Sequence, residues 1–222
     1  MRARIVAATA QVFAEHGYHG LSVALILEQA GIARPTFYRY FRNADEPLQA
    51  LLNDSDMALV DGLQAAIAVA DNVGDMWASG IDAYLQWAVD RGPTLRPLYA
   101  ELHDPSSPVS AHRVRTLELL RVALTTRLTE LGRVAPQPID LDVLLNIFEF
   151  VGFRAALADS DDDAGIAWGR ATMARMAVAV LGSSERDRNQ PAGKTPGNGS
   201  SRSRRSHPRS AESSTPPTRS SR

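Results

Sequence analysis

The chain has 222 residues, of which 44% are hydrophobic and 22% charged. That is long enough for two packed units or one elongated helical body, with an ordinary globular composition. The absence of cysteine excludes disulfides, thiolate metal sites and a cysteine nucleophile, and the net charge of −1 hides an asymmetry: residues 1–42 carry +3, residues 43–182 carry −10 and residues 183–222 carry +6. A basic end on an acidic body suits a protein that touches nucleic acid with one part only.

Residues 1–16 read as a first helix, with Ile5, Ala8, Val12 and Phe13 on one face and Gly17 as its stop. Thr9, Gln11, Glu15 and His16 interrupt any continuous apolar run here, and no run elsewhere approaches the ~18 residues of a spanning helix. The expectation is a cytoplasmic protein with no membrane segment.

The next stretch, SVALILEQAGIARPTFYRYF over residues 22–41, organises the chain. Ser22 can cap a helix whose apolar positions Val23, Ile26, Leu27 and Ala30 recur at spacings of three and four, and Gly31 can reverse the chain at positive φ. A second helix starts within three residues. It has Pro35 in its first turn and runs through TFYRYF to Asn43. At about 100° per residue Phe37 and Phe41 form its inward stripe. Arg39, Pro35 and Thr36 then point away from that stripe, with Arg34 and Tyr38 on one flank and Tyr40 on the other. A glycine between two short helices also occurs as a plain corner of an all-α protein. The cap, the spacing and the exposed arginines, tyrosines and threonine together favour a helix-turn-helix whose second helix enters the major groove. Such groups donate to phosphates, and an arginine can also take the O6/N7 edge of guanine.

A long connecting helix is expected over residues 43–70, with Asn43 and Glu46 as a capping box and Leu48, Leu51, Leu52 and Leu59 as apolar positions. Further helices are expected over 75–91, 94–103, 109–131, 140–158 and 163–181, with no β-hairpin signal and no repeat. The helix over 140–158 is apolar on nearly every side and must be buried against more than one neighbour. Gly165, Gly169, Thr172, Met176 and Ala179 give the last helix a small-residue face for close helix approach. Asp159, Asp161, Asp162 and Asp163 suit its N-terminal end by charge. Asn146 and Glu149 lie three apart on the most apolar helix and need partners, either a ligand or neighbouring groups such as Arg154. Residues 183–222, rich in Ser, Arg and Pro, cannot bury enough surface to order themselves and read as a disordered basic tail. No histidine pair has metal-ligand spacing and no nucleophile elbow or phosphate loop occurs, so neither an enzyme nor a metal or cofactor protein is expected.

Residues 5–52 resemble the N-terminal domain of TetR-family transcriptional regulators. GIARPTFYRYF followed by MWASGIDAY at residues 76–84 is most similar to the ethionamide-resistance repressor branch. The chain departs from the family pattern at Leu27, Ala33 and Ala44, and only residues 1–4 precede the first helix where relatives carry a basic arm. The resemblance implies an all-α fold in three parts: a helix-turn-helix domain (1–44), a ligand-binding and dimerisation bundle (45–182) and the tail (183–222). It implies a homodimer through helices 140–158 and 163–181, bound to palindromic double-stranded DNA by Ser22, Arg34, Pro35, Thr36, Tyr38, Arg39 and Tyr40. A small, largely hydrophobic effector is expected to release it, lined by Met76, Trp77, Tyr84, Asn146, Glu149 and Met176. Phe148 and Trp87 fit either the channel or the core, with the core favoured. A DNA-binding activator or architectural protein without a ligand is the competing expectation.

Overall fold

The computed structural model describes residues 1–158 and 164–189, with side chains through residue 180. Of the tail expected over residues 183–222, residues 183–189 are helical, and only 190–222, together with the acid run 159–163, lie outside the described residues.

Three helices, α1 (Arg2–His16), α2 (Val23–Ala30) and α3 (Arg34–Tyr38), form the N-terminal unit. Ser22 caps α2 by accepting from the Leu25 N–H at 3.3 Å, and Gly31 ends it at φ 58°, ψ 45°, a left-handed conformation that costs a side-chain-bearing residue free energy. The N–H of Ile32 returns to the Leu27 carbonyl at 3.2 Å, which fixes the turn. Ile5, Val12, Ile26, Phe37 and Phe41 close a core between the three helices. The α3 segment is shorter than expected. The Tyr40 N–H donates to the Phe37 carbonyl at 2.9 Å, an i→i+3 closure that tightens the chain into a turn and tucks Phe41 inward.

The long helix α4 (Asp45–Ala68) belongs to both ends of the molecule. Asn43 Oδ1 accepts from the Glu46 N–H at 3.0 Å and the Glu46 carboxylate accepts from the Arg42 N–H at 2.7 Å, so the reciprocal cap forms one residue earlier than the standard pairing. Its first turns pack Leu48 and Leu52 with Phe13 of α1. Its later turns pack Leu59, Leu63 and Ile67 into the body. There α5 (Val73–Asp90), a 3-10 turn (Gly92–Thr94), α6 (Leu95–Glu101), α7 (Pro108–Glu130), α8 (Pro138–Ala156) and α9 (Ala164–Asn189) follow, and α5 packs against α4, α8 and α9. No strand occurs among the described residues. Residues Met1–Asn189 form one unit.

The helix expected to stop at residue 181 continues to Asn189. Its small-residue face meets α8 and the residues just after it in the same chain: a Cβ on Gly169 would strike the Ala155 Cβ at 2.6 Å, and one on Gly165 the Cβ of Ala158, beyond the end of α8, at 2.9 Å. The close approach expected of that face is therefore made inside the chain. The outer surface of the pair carries Val143 and Phe150 from α8 and Trp168 and Val178 from α9, all exposed.

Candidate nucleic-acid interface and ligand cavity

In the N-terminal unit, burial of Phe37 and Phe41 turns the other side of α3 and its following turn outward. Arg34, Pro35, Tyr38, Arg39 and Tyr40 are exposed and Thr36 is half-buried. Arg34 lies over the Tyr38 ring at 5.8 Å, and its Nη2 reaches the Tyr38 hydroxyl at 3.5 Å, so the two side chains share one flank. Ser22 is half-buried and its oxygen is engaged in the α2 cap. Arg2 adds a further cation beside the unit, over the Phe41 ring at 5.4 Å. The face thus offers guanidinium and phenol donors from a short, well-anchored element, which is the chemistry that phosphate and base-edge contacts require.

The body encloses a cavity of about 120 Å³ between α4, α5, α6, α7 and α8. One water needs roughly 10–15 Å³ on this measure, so the space holds an organic group. Leu59, Leu63, Leu98, Leu117, Leu120 and Leu124 line it with Trp77, Tyr84, Trp87, Tyr99, Phe148 and Phe153. The aromatics order one another: Tyr84 stacks on Trp87 with centroids 5.8 Å apart, Trp77 meets Phe148 edge-on at 6.1 Å, and the Trp87 indole N–H donates to the Ser55 carbonyl at 3.1 Å.

Polar groups enter the wall from α7. His112 Nδ1 lies 2.7 Å from Asp56 Oδ2, and the next residue, Arg113, holds Glu149 through three hydrogen bonds of 2.8–3.0 Å. Arg113 Nη2 also donates to Asn146 Oδ1 at 2.5 Å. One turn on, Thr116 belongs to the lining, and its buried hydroxyl has no partner among the described residues. Burial, and after it the Glu149 charge, raises the Tyr84 phenol well above its ordinary range, so Tyr84 stays neutral.

Of the six body residues expected to line a channel, Trp77, Tyr84 and Glu149 do. Met76 is buried in the core between α4, α5 and α7, Met176 packs in the core between α5, α8 and α9, and exposed Asn146 serves Arg113 from outside the lining. Trp87 and Phe148, which fit channel or core with the core favoured, are wall residues. Arg113 went unremarked in the sequence. A buried acid on α8 demands a cation, but several arginines on neighbouring helices could meet that demand, and Arg154, the one considered, is exposed.

A third polar cluster joins the two regions. His19, in the turn between α1 and α2, lies 2.8 Å from Asp104 beyond α6, and this hydrogen bond raises the imidazole above its ordinary value. Hydrogen bonds from Ser106, then from His19, hold Asp104 down at about 2.

Comparison with known proteins bears on both regions. Residues 5–51 match the family model of bacterial regulatory proteins of the TetR family. The fatty acid metabolism regulator protein of Bacillus subtilis (strain 168) is 34% identical over 64 residues, which span 29% of this chain and 33% of that relative. Among solved structures, the transcriptional regulator FadR from Bacillus subtilis in complex with stearoyl-CoA aligns with a TM-score of 0.67 at 19% identity, covering 79% of this chain and 97% of that one. SmeT, the repressor of a Stenotrophomonas maltophilia multidrug efflux pump, aligns with a TM-score of 0.60 at 23% identity, covering 81% and 89%. At these identities the structural likeness carries the fold. No described helix is long and apolar enough to cross a membrane.

Proposed function

We propose that this chain, which carries the N-terminal domain of TetR-family regulators on their all-helical fold, is a cytoplasmic homodimeric repressor released from a palindromic operator by a long-chain acyl ligand. The observation that carries the reading is the continuity of one unit: an outward arginine–tyrosine face on α3 is fastened through α4 to the wall of an apolar cavity. In the dimer, two α3 segments about 34 Å apart meet successive major grooves. A ligand that fits the cavity better in a different α4 and α6 setting shifts the dimer to that setting, and only by the difference between its affinities for the two.

The dimer forms on the outer face of α8 and α9, where the large apolar residues Val143, Phe150, Trp168 and Val178 are exposed; exposed apolar surface of this kind on a folded protein suits an association site. An acyl chain suits the leucine and aromatic wall, and the FadR likeness with its stearoyl-CoA complex supports that class. Trp77, Tyr84 and Glu149 are the expected lining residues that we retain as ligand contacts, joined by Thr116. Because Arg113 neutralises Glu149, the site does not require a cationic ligand. The motif pair GIARPTFYRYF and MWASGIDAY supports kinship with the ethionamide-resistance repressor branch.

Stearoyl-CoA tests the cavity. At about 100 times its dissociation constant it should stabilise the protein by roughly 2.7 kcal/mol, a rise of about 5–10 °C for a chain of this size, and should release bound DNA. Leu117→Trp, which fills the cavity from its half-buried wall, should remove both effects. Release that persists in this variant, or that free coenzyme A reproduces, would rule out the cavity as the effector site.

A further inference from the structure

The cluster between the N-terminal unit and the body has a composition that an ion pair alone does not explain. His19, Glu101 and Asp104 each offer one ligand atom, and these three atoms lie within 4.8 Å of one another. Glu101 is only 9% exposed. Its Oε1 accepts from the Tyr18 N–H at 3.1 Å, while its Oε2 is buried with no hydrogen-bond partner among the described residues. Asp104 is set differently. Its Oδ1 accepts both the N–H and the hydroxyl of Ser106 at 2.8 and 2.7 Å, which leaves Oδ2 turned to His19. Two carboxylates and one imidazole converge, and one carboxylate oxygen is buried without a donor, a cost that a bound cation would relieve.

We propose that His19, Glu101 and Asp104 bind a divalent transition-metal ion, Zn²⁺ in preference to Ca²⁺ or Mg²⁺, that clamps the α1–α2 turn to the end of α6. One imidazole and two carboxylates give Zn²⁺ three protein ligands with water in the fourth place. Bonds of about 2.0–2.2 Å in a tetrahedron put donor atoms roughly 3.4 Å apart; His19 and Asp104 stand 2.8 Å apart and all three ligand atoms lie within 4.8 Å of one another, so small side-chain shifts reach that spacing. His19 has 64% of its side chain exposed, so it can open the pair to admit the ion. Ca²⁺ seeks six to eight oxygens and Mg²⁺ an octahedron of oxygen ligands and water, which this set does not supply. The Ser106 contacts orient Asp104 from behind, as outer-shell partners of metal ligands do. Sequence spacing gave no sign of the site, because His19 and Asp104 stand 85 residues apart.

The placement gives the ion a regulatory position. Glu101 ends α6, and α6 supplies Leu95, Leu98 and Tyr99 to the cavity wall. A clamp there holds the DNA-binding unit against the helix that senses the ligand; this consequence rests on the proposed function, whereas metal binding itself does not.

Titration of the full-length, untagged chain with Co²⁺, followed by its visible d–d absorption, tests the site without DNA. One Co²⁺ per chain should bind, Zn²⁺ should displace it and excess Ca²⁺ should not. His19→Gln and Asp104→Asn should each weaken binding by about 100-fold or more while retaining the wild-type far-ultraviolet circular dichroism. A wild-type chain that binds no Co²⁺, or binding that survives in both variants, overturns the proposal. Either outcome leaves the DNA-binding reading standing, and failure to bind DNA leaves the metal site standing.

Discussion

Arg113 decides the electrostatics of the cavity. Its guanidinium spans both oxygens of Glu149 and reaches Asn146, and the paired side chains are 14% and 19% exposed. Two charges in such a place cost desolvation that their attraction roughly offsets, so removing one charge is worse than removing both. Glu149→Ala should therefore destabilise the fold by about 3 kcal/mol, whereas the double variant Arg113→Met/Glu149→Leu should recover most of that loss. Urea unfolding of the three proteins measures it. Equal losses in the single and double variants would show that the pair is not the issue.

Helix packing brings these side chains together, and it depends on where the chain omits side chains. On α9, Gly169 sits where an added Cβ would meet the Ala155 Cβ of α8, with Leu85 and Val151 close behind. On α4, a Cβ at Gly62 would meet nothing within 4 Å. Alanine favours a helix over glycine by about 1 kcal/mol, so Gly62→Ala should stabilise by up to that amount. Gly169→Ala should lose about 1–3 kcal/mol, because overpacking outweighs propensity. Thermal unfolding would contradict the packing account if both changes moved the melting temperature the same way.

The same elements explain what could be read in advance. The Ser22 cap, the Gly31 turn and the Phe37–Phe41 stripe are local signals and appear in the fold as read. The length of α3 was overestimated, because an i→i+3 closure after Phe37 leaves no mark on apolar periodicity. In the body, Met76 and Trp77 are adjacent, and one step of about 100° sends Met76 into the core and Trp77 to the cavity. Trp87 and Phe148 fit either core or channel in sequence, since a cavity wall and a core draw on the same apolar side chains. Arg113 and Glu149 stand 36 residues apart on different helices, and their pairing depends on helix register, which no local pattern encodes.

At the scale of the whole molecule, charge and shape agree on a direction of action. Within residues 1–182, the +3 of residues 1–42 is set against the −10 of residues 43–182, so of these two parts the N-terminal unit is the one that DNA attracts. Phosphate contacts from Tyr38, Tyr40 and Arg34 would give affinity without sequence preference, leaving Arg39 as the exposed guanidinium placed to read a base. Pairing on the α8–α9 face would double that reading and impose two-fold symmetry on the site. Selection of bound duplexes from a random-sequence library at physiological salt, run in parallel with Arg39→Ala, tests this most directly. The account predicts a palindromic site recovered by the wild-type chain, with Arg39→Ala losing preference at one position per half-site and about 1–3 kcal/mol of specific affinity. A pool with no enriched sequence, or an identical preference in Arg39→Ala, would contradict it.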